Sequence, residues 1–479
     1  MNTSVPENYA LLPLTVFDKM FERTTFITGW LVEGKIDASA FTSALDTVTK
    51  KWRMLSGRLQ SVKEGEDVKW YIKIPLGPIP PDYPTYALTT SVSPVPLSEY
   101  VSIPIPPVSA SLPQSVFLHA STPRQCIAWE KTDHPLTCWN VVYFPASANN
   151  GVDYTCIGFA RSHGIFDGGG AAQIMNALVA EMRKREWTPP SPPHAGLNLN
   201  PVEEAVIREA QAKRFSLENY DGPIGYIPIP IGGAGLTKLI EWHIGERQVR
   251  GAARRVALLP KAVLTDLVES AKSALLAEGG QVHHITTGDI LAAWIFKTAY
   301  SGSSDSTMMI HCTNFASFRD LLKHTVKSVT AFPHNAFIPL PYPVLSVGDV
   351  KSFSLSALTS LFAASRLSLT IDHVIAAHHL LQKPCFPSPP GAQETMTISN
   401  VSASRILEAD WTAVRSKRTL CGYRYQASPT DFLFTNAVYI AGRLGDGSVV
   451  LDSTLNKARF DLLSGEIQRS TAKLEKKSL

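Results

Sequence analysis

The run Ser162-His163-Gly164-Ile165-Phe166-Asp167-Gly168-Gly169-Gly170 holds the residues of this sequence best suited to chemistry. A neutral imidazole can take a proton from an alcohol or an amine near neutral pH, which readies that group to attack an acyl carbonyl. No covalent acyl-enzyme is needed for such a step. An ordinary environment would give His163 a pKa of about 6 to 7. Glycines at positions 168 to 170 let backbone or ligand come close. The same spacing also describes a His-Asp pair that only braces a turn, and the spacing by itself leaves both readings open. Other catalytic signatures are missing from the sequence: there is no G-x-S-x-G elbow, no H-E-x-x-H and no G-x-x-x-x-G-K-[ST] loop. The glycine triple misses G-x-G-x-x-G because Gln173 stands at the last glycine position. Six cysteines, Cys126, Cys138, Cys156, Cys312, Cys385 and Cys421, are dispersed without a C-x-x-C pair, so they are expected to be reduced and buried, with no metal site.

The elements that must position His163 are legible around it. DYTCIGFA, residues 153–160, has strand composition, and from Gly170 the spacing of Ile174, Leu178 and Met182 predicts a helix, so the motif lies on a strand-to-helix turn. Upstream, Asp37 caps a helix whose apolar stripe is Phe41, Leu45, Val48 and Trp52. Recurrent prolines between Pro75 and Pro113 forbid long helices and leave short strands. WTPPSPPHAGLNLNP then opens a long crossover, residues 187–235, helical near Pro201 to Arg214. The second half brings a strand RRVALL, a helix begun by Pro260, another over Thr287 to Tyr300, a strand at Met308 to His311, a hairpin about Gly445-Asp446-Gly447 and a terminal helix from Asp461 to Lys476.

At 479 residues the chain exceeds one ordinary core, and the expected division is 1–186, a connection 187–235, and 236–479. With 44% hydrophobic and 18% charged residues it can fill such cores and is not globally disordered. A formal charge of +4 from scattered Lys and Arg leaves no footprint for nucleic acid. No apolar run reaches the roughly 18 residues of a membrane span. The start, MNTSVPENYALLPL, lacks a signal sequence's basic and apolar regions, so a cytoplasmic protein is expected.

Four segments in order resemble the BAHD acyltransferases, particularly their divergent fungal members. They are PLTVFDKM with LDTVTKKWRMLSGRLQ, the H-x-x-x-D-G run His163 to Gly168, ITTGDILAAWIFKTAY, and IHCTNFASFRDLL followed by FPHNAFIPL. The family's second hallmark, D-F-G-W-G, is reduced here to Asp410 in Asp410-Trp411-Thr412-Ala413-Val414. The resemblance implies an α/β fold of two chloramphenicol-acetyltransferase-like domains, each a mixed sheet flanked by helices, with a channel between them. It implies His163 as general base, Asp167 turned away from it in an ion pair, and Gly168 permitting the turn. Arg319 would pair with Asp410, Ser399 and Asn400 would face the channel as oxyanion donors, and Arg254, Arg255 and Lys261 would serve the phosphates of coenzyme A. Acetyl-CoA or another acyl-CoA would be a co-substrate, with no tightly bound cofactor. The acceptor would be a small molecule, a hydroxyl of a fungal secondary metabolite or else an amine, and the protein a monomer. Peptide-synthetase condensation domains share the fold but carry H-H-x-x-x-D-G, where this chain has Ser162 before His163. A cyclase or isomerase working without CoA, or a non-catalytic binding protein, are the readings from other classes.

Overall fold

The Tyr154–Ser162 strand that delivers His163 is buried at every position, the mark of a central strand covered on both faces. In the computed structural model, which describes residues 8–65, 67–216, 226–230, 234–383, 385–388 and 391–478, it is the middle of five. The order is Arg418–Ala427, Thr25–Glu33, Tyr154–Ser162, Thr137–Phe144 and Ala87–Val92, antiparallel except for the last pair. Against it pack the helices Ala38–Lys51 and Gly168–Met182. Asp37 caps the first by accepting from the amides of Ser39 and Ala40, and Phe41, Leu45, Val48 and Trp52 are buried beneath it. The second helix begins at Gly168, two residues earlier than its apolar spacing predicts, because Asp167 is its N-cap.

A second sheet of seven strands occupies the other half. Its order is Val344–Ser346, Met309–Thr313, Glu394–Asn400, Ala437–Arg443, Val449–Leu455, Ala253–Leu259 and Val108–Ala110. The Glu394–Asn400 strand is parallel to both neighbours, and the remaining pairings are antiparallel. Helices Lys261–Ala277, Thr287–Tyr300, Leu355–Leu367 and Lys457–Ser478 cover its far face and share its core. Two mixed sheets flanked by helices are thus the α/β architecture expected. The terminal helix starts at Lys457, one turn before the expected Asp461.

Two strands are exchanged between the halves. Arg418–Ala427 follows most of the second sheet in sequence yet lies at the edge of the first, while Val108–Ala110 crosses the other way. The halves are therefore interlocked, and the exchanged Arg418–Ala427 strand brings side chains of the second half alongside His163. Of the crossover 187–235, residues 217–225 and 231–233 lie outside the described residues; its helix spans Pro201–Lys213. Among the described residues no helix is long and apolar enough to cross a membrane.

Candidate active site

His163 begins the turn after its strand. Its amide donates to the Thr24 carbonyl at 2.8 Å, and its own carbonyl accepts from Asn335 Nδ2 at 2.7 Å, so the backbone is held from both halves of the chain. The ring nitrogen Nδ1 lies 3.1 Å from the Phe166 carbonyl oxygen. A carbonyl can only accept, so Nδ1 carries the proton and Nε2 presents its lone pair. No described residue engages Nε2. The imidazole is packed between Phe21 and Phe26, each ring centroid 4.0 Å away, with Phe337 parallel at 5.8 Å. Only 3% of His163 is exposed. Burial holds its pKa well below the ordinary imidazole value; the Phe166 bond acts upward against it, and the nearby Arg424 and Arg161 push down by smaller amounts. The ordinary value expected from the sequence does not hold in this setting, which favours the neutral imidazole.

Asp167 does not touch that ring. Its Oδ1 accepts from the Gly170 amide at 2.7 Å and from Arg319 Nη2 at 2.9 Å, while Oδ2 lies 2.9 Å from Arg319 Nη1 and 3.2 Å from the Ala336 amide. This is a buried fork-to-fork pair, and it joins the turn to the second half. Arg319, expected to pair with Asp410, faces Asp167 instead; the carboxylate of Asp410 is met by Arg183 from the end of the helix that Asp167 begins. Of the three glycines expected to allow close backbone approach, Gly170 is the one that the backbone meets. A Cβ on Gly168 would only touch Val401 at 3.5 Å, an ordinary contact, whereas one on Gly170 would stand 1.9 Å from the Pro333 carbonyl oxygen.

Ser399 and Asn400 were expected to act together, but strand alternation parts them. Ser399 pairs with Tyr439, and Tyr439 with Asp452, in one row on the face turned to the first sheet, where Arg424 lies over the Tyr439 ring at 4.4 Å. Asn400 turns to the helix layer. Its Nδ2 closes on Gly288, and its Oδ1 accepts from Ser402 N and Oγ at 3.0 and 2.6 Å. Arg254, Arg255 and Lys261 do not converge either. Arg254 stacks on Tyr425 and donates to the Arg424 carbonyl, Arg255 points to the opposite face over Phe460, and the Lys261 stem packs beside Gly447. Arg254 also lines a cavity of about 580 Å³ with Arg124, Asn140 and Phe432, of which His163 forms no part.

Four residues of the site had no assigned role in the sequence. Asp18, inside PLTVFDKM, accepts through Oδ1 from Asn335 N and Nδ2 at 3.0 and 2.8 Å, and Asn335, inside FPHNAFIPL, then holds the His163 carbonyl. Both stand in segments that carried the family resemblance, a signal that could have found them. Arg161 and Arg424, the cations nearest His163, had no such signal. The strand Arg418–Ala427 itself gave none beyond its aromatic alternation.

The architecture defined by these two interlocked sheets is that of the two-domain chloramphenicol-acetyltransferase-like proteins. TRI101 of F. sporotrichioides, solved with coenzyme A and T-2, superposes with a TM-score of 0.61 at 14% identity over 94% of this chain and 96% of that one. TRI101 of F. graminearum with ethyl coenzyme A gives 0.62 at 14% over 95% and 97%. The first condensation domain of the CDA synthetase gives 0.52 at 12% over 95% and 92%. The sequence matches no family model and no curated protein.

Proposed function

We propose that this protein is an acyl-CoA-dependent acyltransferase that moves an acetyl or other acyl group to a hydroxyl of a small molecule, with His163 as general base. The observation that carries this reading is the Nδ1–H bond to Phe166 O, which leaves Nε2 as a proton acceptor on the H-x-x-x-D-G turn. The fold shared with TRI101 structures holding coenzyme A supports it. Nε2 takes the acceptor's proton as its oxygen bonds to the thioester carbonyl carbon. The carbonyl becomes an oxyanion, for which Ser399 is the candidate donor on the facing sheet. As the oxyanion collapses, the C–S bond breaks and the imidazolium returns the proton to the CoA thiolate. Asp167 and Arg319 hold the turn and take no part in proton transfer. An amine acceptor would follow the same path. A second reading, base-catalysed rearrangement of one substrate without CoA, is favoured by the close aromatic packing around His163.

Incubation with a panel of acyl-CoAs and metabolite extracts, followed by mass and by thiol release, tests the proposal. CoA should also raise the melting temperature by mass action, since it favours the native state. Melting unchanged by millimolar CoA would leave the CoA-independent reading.

The pH profile tests the state of the base. Because the folded pKa of His163 lies well below 6.5, kcat/KM should stay level through pH 6 and fall only in more acid solution. The same shift makes the unfolded chain bind the extra proton as pH drops below 6.5, so His163 should subtract stability there and restore it above. A limb of kcat/KM centred at 6.5 to 7 would show an imidazole freely open to water.

A further inference from the structure

Arg161 and Arg424 are interior cations that no carboxylate of the described residues pairs with. The register places them on one face of the first sheet: Arg424 stands beside Thr28 and Thr28 beside Phe159, while one step along Phe26 stands beside Arg161. Arg161 is 2% exposed and donates through Nη1 to Thr28 Oγ1 at 3.2 Å. Arg424 is partly buried, with its Nη1 wholly covered. Its guanidinium spans Phe26 at 4.5 Å and Tyr439 at 4.4 Å, and Phe26 is in turn 4.0 Å from the His163 ring. The three groups thus surround one phenylalanine.

The carboxylates nearby act on the two arginines only through space and form no ion pair with either. Asp167 is taken by Arg319, and Asp452 accepts from the Arg424 backbone amide at 2.8 Å, with its pKa raised to about 6 by burial. Arg161 Nε and Arg424 Nη1 are buried without any hydrogen-bond partner. Burial lowers the pKa of Arg161 to about 9, with the charge of Arg424 adding to the effect. Interior guanidinium groups with donors left unmet and no counter-charge in contact are costly, and a ligand that supplies the missing anion relieves that cost.

We propose that Arg161 and Arg424 form an anion subsite beside His163 that takes a carboxylate carried by the acceptor. This rests on the acyltransferase reading, in which the thioester end of CoA is uncharged and its phosphates lie a pantetheine length away, so an anion at this depth belongs to the acceptor. Guanidinium forks match a planar carboxylate in geometry as well as charge. The subsite would orient the acceptor with its hydroxyl at Nε2, and Phe26 would separate the carboxylate from the base.

The test uses acetate as the probe. At equal ionic strength and pH, replacing 100 mM chloride by acetate should raise the melting temperature of the wild-type protein by about 1.4 °C if the site binds in the 10 mM range. Arg161→Met and Arg424→Met should each lose that response while still melting higher with CoA; should one fail to fold, the other carries the comparison. No acetate-specific rise in the wild type, or a rise kept in both variants, would overturn the subsite. The CoA response of the wild type reports on the acyltransferase reading separately, since it does not depend on the two arginines. Finally, metabolite extracts divided into bicarbonate-soluble acids and neutral compounds should yield acylated product from the acid fraction. Product from the neutral fraction alone would refute the carboxylate acceptor.

Discussion

Replacing His163 by Ala is expected to slow acyl transfer by about 10²- to 10⁴-fold, the contribution of a positioned general base. Binding of CoA should survive, because under the proposed function the imidazole between Phe21 and Phe26 meets only the reacting end, and pantetheine and nucleotide would be recognised elsewhere. The loss should therefore fall on kcat, with the CoA-dependent rise in melting temperature kept. Truncation also opens a gap between two phenylalanines, so stability is to be measured alongside rate. His163→Gln offers a fuller side chain without a base at working pH and should be as slow as His163→Ala. A folded His163→Ala protein that binds CoA and acylates its acceptor at nearly the wild-type rate would remove His163 from the mechanism.

The second large effect is expected at the Asp167–Arg319 pair. Both side chains are almost wholly buried and meet through two 2.9 Å contacts, one to each carboxylate oxygen. Breaking such a pair from one side leaves the other charge stranded, at a cost of about 3–5 kcal/mol. Asp167→Asn keeps an oxygen for the Gly170 amide but strands the Arg319 guanidinium; Arg319→Ala strands the carboxylate. Each should lower unfolding stability by about that amount, and activity should decline with it as the turn loosens. The double replacement should cost much less than the sum, since neither charge is then left alone. Asp167→Asn with unchanged stability and no turnover would instead mean that the carboxylate takes part in the reaction itself.

Local features were readable because their causes are local. The cap of Asp37, the apolar stripe of its helix and the strand-turn-helix around His163 each depend on residues within a few positions of one another, where periodicity and capping act. The resemblance of His163 to Gly168 and of three further segments pointed to the α/β halves for the same reason, since each segment is a continuous run of one to three neighbouring elements. Even the start of the Gly168–Met182 helix could have been read from Asp167 followed by three glycines, since the cap is made within three residues.

What the tertiary structure decided are partnerships across long stretches of chain. Arg319 is 152 residues from Asp167, and nothing in the intervening sequence says that it meets this carboxylate while Arg183 meets Asp410. Alternation already requires Ser399 and Asn400 to face opposite ways, but which of them looks toward the first sheet depends on the order of strands around them. The setting of His163 is decided at the same level. Its lowered pKa comes from burial and from Arg161 and Arg424, and Arg424 reaches it only because Arg418–Ala427 crosses into the other half's sheet. Charge and packing act through space, and a sequence specifies which groups exist before folding specifies which of them are neighbours.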